Sequence, residues 1–400
     1  MRVAYLVTWL GCLGATALAQ RSPLPPERWE KVRSTVDAVY RLDYEAAAAG
    51  CREMISRWPD EPAGYVYLAR VYWQQLLFTE RALTVQRFSR PDYFSEVPRY
   101  KVRLDPAAEH RFRAASDEAI GKARLFAQKQ PTDPGALYLL GAAYQNEASF
   151  QISVNNAWYA GVRAGDQSYR AHRQLLAQDA RYSDARLVTG VYNYTVGSLP
   201  WKVRWLALLL GYHGSKEQGV ADLETAAAKG EIAADDARTV LVLVYAIEKR
   251  YDRALAKLEE LRRKYPENYL THLDMAALEI LRGRPAVAVG LYQQALAKIE
   301  AGTGSYVRLE SAIVHNQLGV AYRALKDYPE AEQWLRRSIN SASTSPGTKV
   351  LALLELGKTL DLAGRRQQAV DQYRQVAEAQ DYAGSRAEAS QYLSRSYQGK

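Results

Sequence analysis

The sequence predicts an all-α protein built from stacked pairs of antiparallel helices. This prediction rests on two repeated patterns. Apolar and small residues recur at spacings of three and four, which places Leu318, Gly319 and Tyr322 on one face of a helix. A small residue then recurs on the returning helix at intervals of 34, 43 and 38 residues, at Ala254, Ala288, Ala331 and Ala369. We therefore expect each pair to be held together by close contact between its two helices.

Prolines indicate where the returning helices end. In three copies a proline follows the small residue by twelve positions, in the intervals 47–59, 119–131 and 254–266. The residue before a proline is disfavoured in the helical conformation, so each proline predicts a helix end at the same distance from the contact. The same unit is therefore used at distant points of the chain.

Three segments carry a resemblance to a known repeat family: Leu140-Gly141-x-x-Tyr144, Leu318-Gly319-x-x-Tyr322 and Ala254 to Pro266. They resemble the tetratricopeptide repeat (TPR) family, whose unit is two antiparallel helices of about 34 residues in all. The resemblance implies an α-solenoid, in which each pair completes its core by packing on its neighbours. We expect a superhelix of about eight TPR-like pairs with a C-terminal capping helix at 384–397.

The repeats divide the chain into three parts. Residues 1–19 form a signal peptide, 20–230 hold irregular TPR-like pairs, and 231–400 hold regular pairs and the capping helix. Two insertions interrupt the irregular part, at 79–105 and at 199–214.

The first twenty residues have the pattern of an export signal. Arg2 precedes an uncharged run from Val3 to Gln20, with Ala17-Leu18-Ala19 as a small-x-small cleavage site. We expect cleavage after Ala19 and a periplasmic or extracellular protein if the source is bacterial. An uncleaved N-terminal anchor is the alternative.

A block from 158 to 219 resembles a wider group of TPR proteins. The matching residues include Tyr182-Ser183-Asp184-Ala185, Gly190-x-Tyr192-Asn193-Tyr194 and Leu210-Gly211-Tyr212-x-Gly214. The group comprises a eukaryotic mitochondrial outer-membrane family and exported bacterial relatives. Because the signal peptide indicates another compartment, the organelle role of the eukaryotic branch is not carried over.

The sequence lacks the motifs of the common enzyme classes. It has no Gly-x-Ser-x-Gly, no phosphate-binding glycine-rich loop and no His-Glu-x-x-His. The adjacent carboxylates Asp235 and Asp236 are interpreted as groups at a helix end or on a solvated face, and Cys51 as a buried, inert thiol. We therefore expect no enzymatic activity, no cofactor and no metal.

The charge and the groove indicate the kind of partner. The net charge of +9 is spread along the chain without a basic stripe, which argues against nucleic acid. In TPR proteins the first helix of each pair lines the concave face, and this implies a groove for a protein or peptide. The groove candidates are Arg70, Trp73, Tyr138, Gln145, Tyr194, Asn316, Arg323 and Lys358.

The apolar insertion at 199–214 has two interpretations. Packing inside the superhelix is favoured, because contiguous exposed apolar patches are rare. The alternative is a membrane or partner patch formed by Trp201, Trp205, Leu206 and Leu209. The predicted function is an exported, non-enzymatic TPR scaffold that binds a protein through its groove. The alternatives are an adaptor on a membrane or envelope surface that docks through 201–210, and a hydrolase of envelope polymer.

Overall fold

The computed structural model describes residues 21–79, 104–155, 157–209 and 211–399. The predicted signal peptide and nearly all of the 79–105 insertion lie outside these ranges. Within them the chain forms eighteen α-helices and two short 3-10 helices, with no β-strand.

The helices alternate between a first and a second member of each pair. The first helices are α1 (Pro26–Tyr40), α3 (Ala63–Thr79), α5 (Pro134–Ser153), α7 (Arg186–Ser198), α10 (Ala234–Ile247), α12 (Tyr269–Leu281), α14 (Ser311–Ala324) and α16 (Pro346–Leu362). The second helices are α2 (Tyr44–Arg57), α4 (Pro106–Lys129), α6 (Trp158–Gln178), α9 (Lys216–Lys229), α11 (Tyr251–Lys264), α13 (Pro285–Glu300), α15 (Tyr328–Asn340) and α17 (Arg366–Glu378). Helix α18 (Ser385–Ser394) covers the last pair, and α8 (Trp201–Leu209) is an extra helix inside the fourth. The prediction of eight pairs and a capping helix is confirmed.

The stacking is continuous along the described chain. Each helix packs on the next, except that α8 lies between α7 and its partner α9. First helices also pack on first helices of neighbouring pairs, as α3 does on α5 and α14 on α16. Such nearest-neighbour packing is the defining feature of a solenoid.

The same turn joins the helices of five pairs. In each, three residues separate the helices and the middle residue has a left-handed φ. These residues are Leu42 (62°), Lys249 (56°), Gly283 (81°), Lys326 (63°) and Gly364 (76°). One turn geometry therefore sets the crossing of the helices in regular and irregular pairs alike.

The predicted small contacts hold the pairs together. Ala254, Ala288, Ala331 and Ala369 are all 0% exposed. A methyl group added to Gly319 would lie 2.4 Å from Cγ of Leu335 on the partner helix. The glycine and alanine spacing in the sequence thus corresponds to real close approaches between helices.

Candidate functional site

The predicted groove residues lie on five first helices, but they differ in how much surface they offer. Tyr138 is 5% exposed and Tyr194 2%, so a partner would reach them only if their neighbours moved. Trp73 and Gln145 are half-buried and accessible from solvent. The use of these residues by a partner stays a prediction.

At Arg70 the groove is bridged by α10, a helix that lies far away in the sequence. The Arg70 guanidinium donates to Oδ1 of Asp236 on α10 over 2.7 Å. The Tyr40 hydroxyl donates to the same oxygen over 2.9 Å. The helices α1 and α3 therefore contact the fifth pair directly, across the concave side.

Further polar contacts extend this junction to the residue that follows α11, the second helix of the fifth pair. The Tyr265 hydroxyl oxygen lies 2.5 Å from Oδ1 of Asp37 and 2.7 Å from Oδ2 of Asp235, and its single proton is shared between the two carboxylates. Its ring stacks on Tyr40 with 5.1 Å between centroids. We call the set Asp37, Tyr40, Arg70, Asp236 and Tyr265 the seam. It closes the solenoid on itself between residues more than 160 positions apart.

The seam corrects one expectation from the sequence. Asp235, expected at a helix end or on a solvated face, is the second residue of α10 but is only 4% exposed. Burial favours its protonated form, but hydrogen bonds from Lys264 and Tyr265 outweigh this and lower the pKa of Asp235. Asp235 therefore belongs to a buried network and Asp236 to the half-buried contacts of the seam, and solvation is the wrong interpretation for Asp235. No local pattern in the sequence identifies their partners.

A second charged cluster lies on the concave side of the last two pairs. Arg323 donates to Glu355 over 2.5 Å, and Lys358 donates to Glu355 over 2.8 Å and to Glu388 over 2.7 Å. Burial opposes ionisation of Glu355, but the attraction of Arg323 and Lys358 is larger and lowers the pKa of Glu355 to about 2. Arg323 and Lys358, two predicted groove residues, are thus fixed in place by one carboxylate. Asn316 lies on the same helix as Arg323 and is 8% exposed.

The favoured interpretation of the 199–214 insertion, packing inside the superhelix, is wrong for every α8 side chain that the structure describes. Trp201 is 72% exposed, Trp205 63% and Leu209 65%. Val203 and Leu208 are 49% and 44% exposed. Among the residues named for the patch, the side chain of Leu206 lies outside the described ones. Helix α8 therefore presents an apolar surface to solvent.

The remaining chemistry of the described residues is that of a packed core. Burial lowers the pKa of His172 to about 4 and raises that of Cys51 to about 12. No group of three His, Cys, Asp or Glu residues in the described ranges is arranged to hold a metal ion. Within the same ranges, no helix combines the length and apolar character needed to cross a membrane.

Comparison with known proteins places this architecture in a family. A tetratricopeptide repeat family model matches residues 310–381. Among solved structures, yeast Tom70 is 13% identical with a TM-score of 0.41, covering 92% of this chain and 81% of that one. The Cut9–Hcn1 hetero-tetramer of the APC/C is 12% identical with a TM-score of 0.31, over 92% and 84%. The human IFIT1 dimer is 13% identical with a TM-score of 0.30, over 90% and 95%.

No curated protein sequence matches the chain. A second family model, described as Iml2/Tetratricopeptide repeat protein 39, matches residues 136–345, which is more than half of the chain. Folds of this type are scaffolds for protein–protein interaction and are typically non-enzymatic. The chain belongs to the Iml2/tetratricopeptide repeat protein 39 family.

Proposed function

We propose that this protein is an exported, non-enzymatic scaffold that binds a protein or peptide partner through the concave side of its solenoid. The observation that carries the proposal is the stack of first helices, which aligns residues of successive pairs along one surface. A protein partner can be recognised on such a surface by shape and hydrogen bonding, without any covalent step. Trp73 and Gln145 are the most accessible candidates in the N-terminal half.

A photo-crosslinking experiment tests partner binding at the groove. A photoreactive phenylalanine is placed at Gln145 on α5 or, as a matched control, at the exposed Glu118 on the second helix α4. In cells of the source organism we expect a defined adduct from position 145 and none from position 118. Absence of an adduct at 145, or the same adducts at both positions, contradicts groove binding.

Export is tested separately by the N-terminus of the protein in cells. We expect envelope or extracellular fractions to contain a chain that begins at Gln20, since Ala17-Leu18-Ala19 precedes it. A chain that begins at Met1 and remains in the cytosolic fraction would contradict export.

A second candidate function rests on the exposed surface of α8. Trp201, Trp205, Leu208 and Leu209 fall within about 100° of arc on this helix, since successive residues are rotated by about 100°. Arg204 is exposed beside them, and no acidic residue occurs between Asp184 and Glu217. An apolar face with basic flanks suits the interface of an anionic membrane. We propose this as the alternative: an adaptor held on a membrane surface by α8.

Liposome flotation tests the alternative directly. Vesicles containing anionic lipid are mixed with the wild-type chain, with Trp205→Glu, or with the control Leu125→Glu. Leu125 is an exposed leucine on α4, far from α8 in sequence, and is 57% exposed. We expect wild type and Leu125→Glu to float and Trp205→Glu to remain at the bottom. Equal flotation of all three, or none, removes this candidate.

A further inference from the structure

The chain folds back over its own groove after α18. Helix α18 ends at Ser394, and residues 395–399, which we call the return segment, run across the concave side of α14 and α16. The backbone N–H of Tyr397 donates to Oδ2 of Asp361 over 2.8 Å. The guanidinium carbon of Arg323 and the Lys358 ammonium lie 5.7 and 5.8 Å from the centre of the Tyr397 ring. The return segment thus contacts two residues that the sequence predicts to bind a partner.

The Asp361 carboxylate, which accepts the hydrogen bond from the backbone of the return segment, is held in place by the rest of the fold. The Asp361 side chain is 0% exposed. It also accepts from Arg366 over 3.0 Å and from the Tyr373 hydroxyl over 2.9 Å. The other end of the Arg366 guanidinium donates to the Tyr392 carbonyl at the end of α18. Because Arg366 and Tyr373 belong to α17 and Tyr392 to α18, the carboxylate keeps its place whether or not an N–H group of the return segment is bound.

The aromatic part of the site is equally fixed. Glu355 forms ion pairs with both Arg323 and Lys358. Because these two side chains are already fixed, neither loses conformational freedom when an aromatic side chain binds between them. The Tyr392 ring adds an edge-to-face contact with Tyr397 at 5.3 Å between centroids and 76° between planes. A ring flanked by two cations and a second aromatic gains both cation–π and packing energy. The site therefore fits an extended segment with an aromatic side chain and one free backbone N–H.

We propose that the groove of the last two pairs is a binding site for an extended peptide segment bearing a tyrosine-like residue, and that the return segment occupies it as an internal competitor. This inference rests on the proposed function and names the ligand class of one part of the groove. An internal ligand on a short connection acts at an effective concentration of the order of mM. A partner segment must outcompete it, so the return segment sets a threshold for binding.

Peptide binding in trans tests the proposal on the full mature chain. The probe is a fluorescein-labelled peptide with the sequence of residues 394–399, Ser-Arg-Ser-Tyr-Gln-Gly. In Tyr397→Ala the internal ring is lost, so the return segment competes for the groove only through its backbone N–H to Asp361. We expect fluorescence anisotropy to give at least tenfold tighter binding to Tyr397→Ala than to wild type. A probe with alanine in place of its tyrosine should bind neither chain.

Two further variants serve as controls. Ser396→Ala changes the neighbouring residue, whose hydroxyl accepts from Gln398 within the return segment itself, and it should bind the probe as weakly as wild type does. Tyr397→Phe keeps the ring and the backbone N–H and should also behave as wild type. Equal affinity for all four chains, or no binding to Tyr397→Ala at millimolar probe, overturns the proposal.

The outcome is independent of the partner experiment at position 145. If the probe fails to bind but crosslinks form at 145, the competitor model is wrong and the scaffold function stands. If the probe binds Tyr397→Ala but no partner is found at 145, the peptide site remains and the N-terminal part of the groove is not a partner surface.

Discussion

At the scale of single residues, the meaning of a glycine in this chain depends on what faces it. Gly319 lies in the middle of α14, where an added methyl group would sit 2.4 Å from Leu335 Cγ and 3.1 Å from the Ala331 carbonyl oxygen. Gly290 lies in the middle of α13, where the same methyl group would have no neighbour within 4 Å among the described residues. The sequence predicted the first contact, because Gly319 and Ala331 recur in the repeat pattern.

We predict opposite effects for alanine at these two glycines. Gly319→Ala should lower the free energy of unfolding by about 1–3 kcal/mol, because the added methyl group overlaps with the fully buried Leu335 and one of the two must shift. Gly290→Ala is the matched control and should raise it by about 0.5–1 kcal/mol, because alanine restricts the unfolded chain and favours the helix. Urea unfolding followed by circular dichroism measures both. Equal changes in the two variants would show that the predicted contact does not limit packing.

Cys51 provides a second residue-scale prediction. Its side chain is 0% exposed and burial raises its pKa to about 12. Since the thiolate is the reactive form, the native chain beginning at Gln20 should react with a disulfide reagent at pH 8 at least about a hundredfold more slowly than the chain in denaturant. Absorbance of the released thiol follows the reaction. Rapid labelling of the native chain would contradict the buried position.

At the scale of helices, one side chain from an earlier pair holds the turn that leads into α10. The residue before α10, Ala233, has no side chain that can accept a hydrogen bond from the helix. Instead, Oδ1 of Asp184 accepts from the backbone N–H groups of Glu231, Ile232 and Ala233 over 2.9, 2.8 and 2.7 Å. Asp184 lies in the block that resembles the wider TPR group. The sequence marked the residue but not its role, because its hydrogen-bond partners are 47 to 49 positions away.

We predict that these hydrogen bonds of Asp184 to the turn before α10 are required for stable docking of the fourth pair on the fifth. Asp184→Ala leaves three buried or partly buried N–H groups without their acceptor and should destabilise the fold by about 2–4 kcal/mol. Asp184→Asn keeps an oxygen acceptor and should lose less stability than Asp184→Ala. The exposed Asp117 on α4 gives the control Asp117→Ala, with a change within about 0.5 kcal/mol. Thermal unfolding ranks the variants, and an alanine variant as stable as the asparagine one would contradict this role.

Helix α8 shows why the presence of a helix is easier to predict than its environment. A proline at the start of an apolar run and a glycine after it favour a helix, and the structure has one from Trp201 to Leu209, between Pro200 and Gly211. The same spacing of apolar residues serves a buried face or an exposed one, so the pattern does not distinguish them. The exposure of α8 depends on the position at which the packing of α7 on α9 places the inserted residues.

At the scale of the whole molecule, the local unit was predictable and the closure was not. Pairs depend on contacts within about forty residues, and the repeat pattern records those contacts directly. The seam joins Tyr40 and Arg70 to Asp236, and Asp37 to Tyr265, across 166 to 228 positions. Whether two such regions meet depends on the small rotations between successive pairs, added up over several pairs that include irregular ones. This total rotation cannot be predicted from any single segment of the sequence.

The seam leads to the last prediction, which concerns the shape of the molecule. Arg70→Ala removes a charge-assisted bond to Asp236, and Tyr265→Phe removes the hydroxyl that donates to Asp37 and Asp235. Hydrogen bonds of charged groups contribute about 1.5–3 kcal/mol each, so the double variant should weaken the closure severely while the local pairs remain intact. We expect small-angle X-ray scattering to show a larger radius of gyration at unchanged helix content by circular dichroism. Arg113→Ala, which breaks an exposed ion pair with Glu109 on α4, should change neither. If the double variant keeps the wild-type radius, the remaining contacts hold the solenoid closed: the apolar cluster that contains Leu42, Tyr269 and Tyr306, and the hydrogen bond from Arg308 to the Leu42 carbonyl.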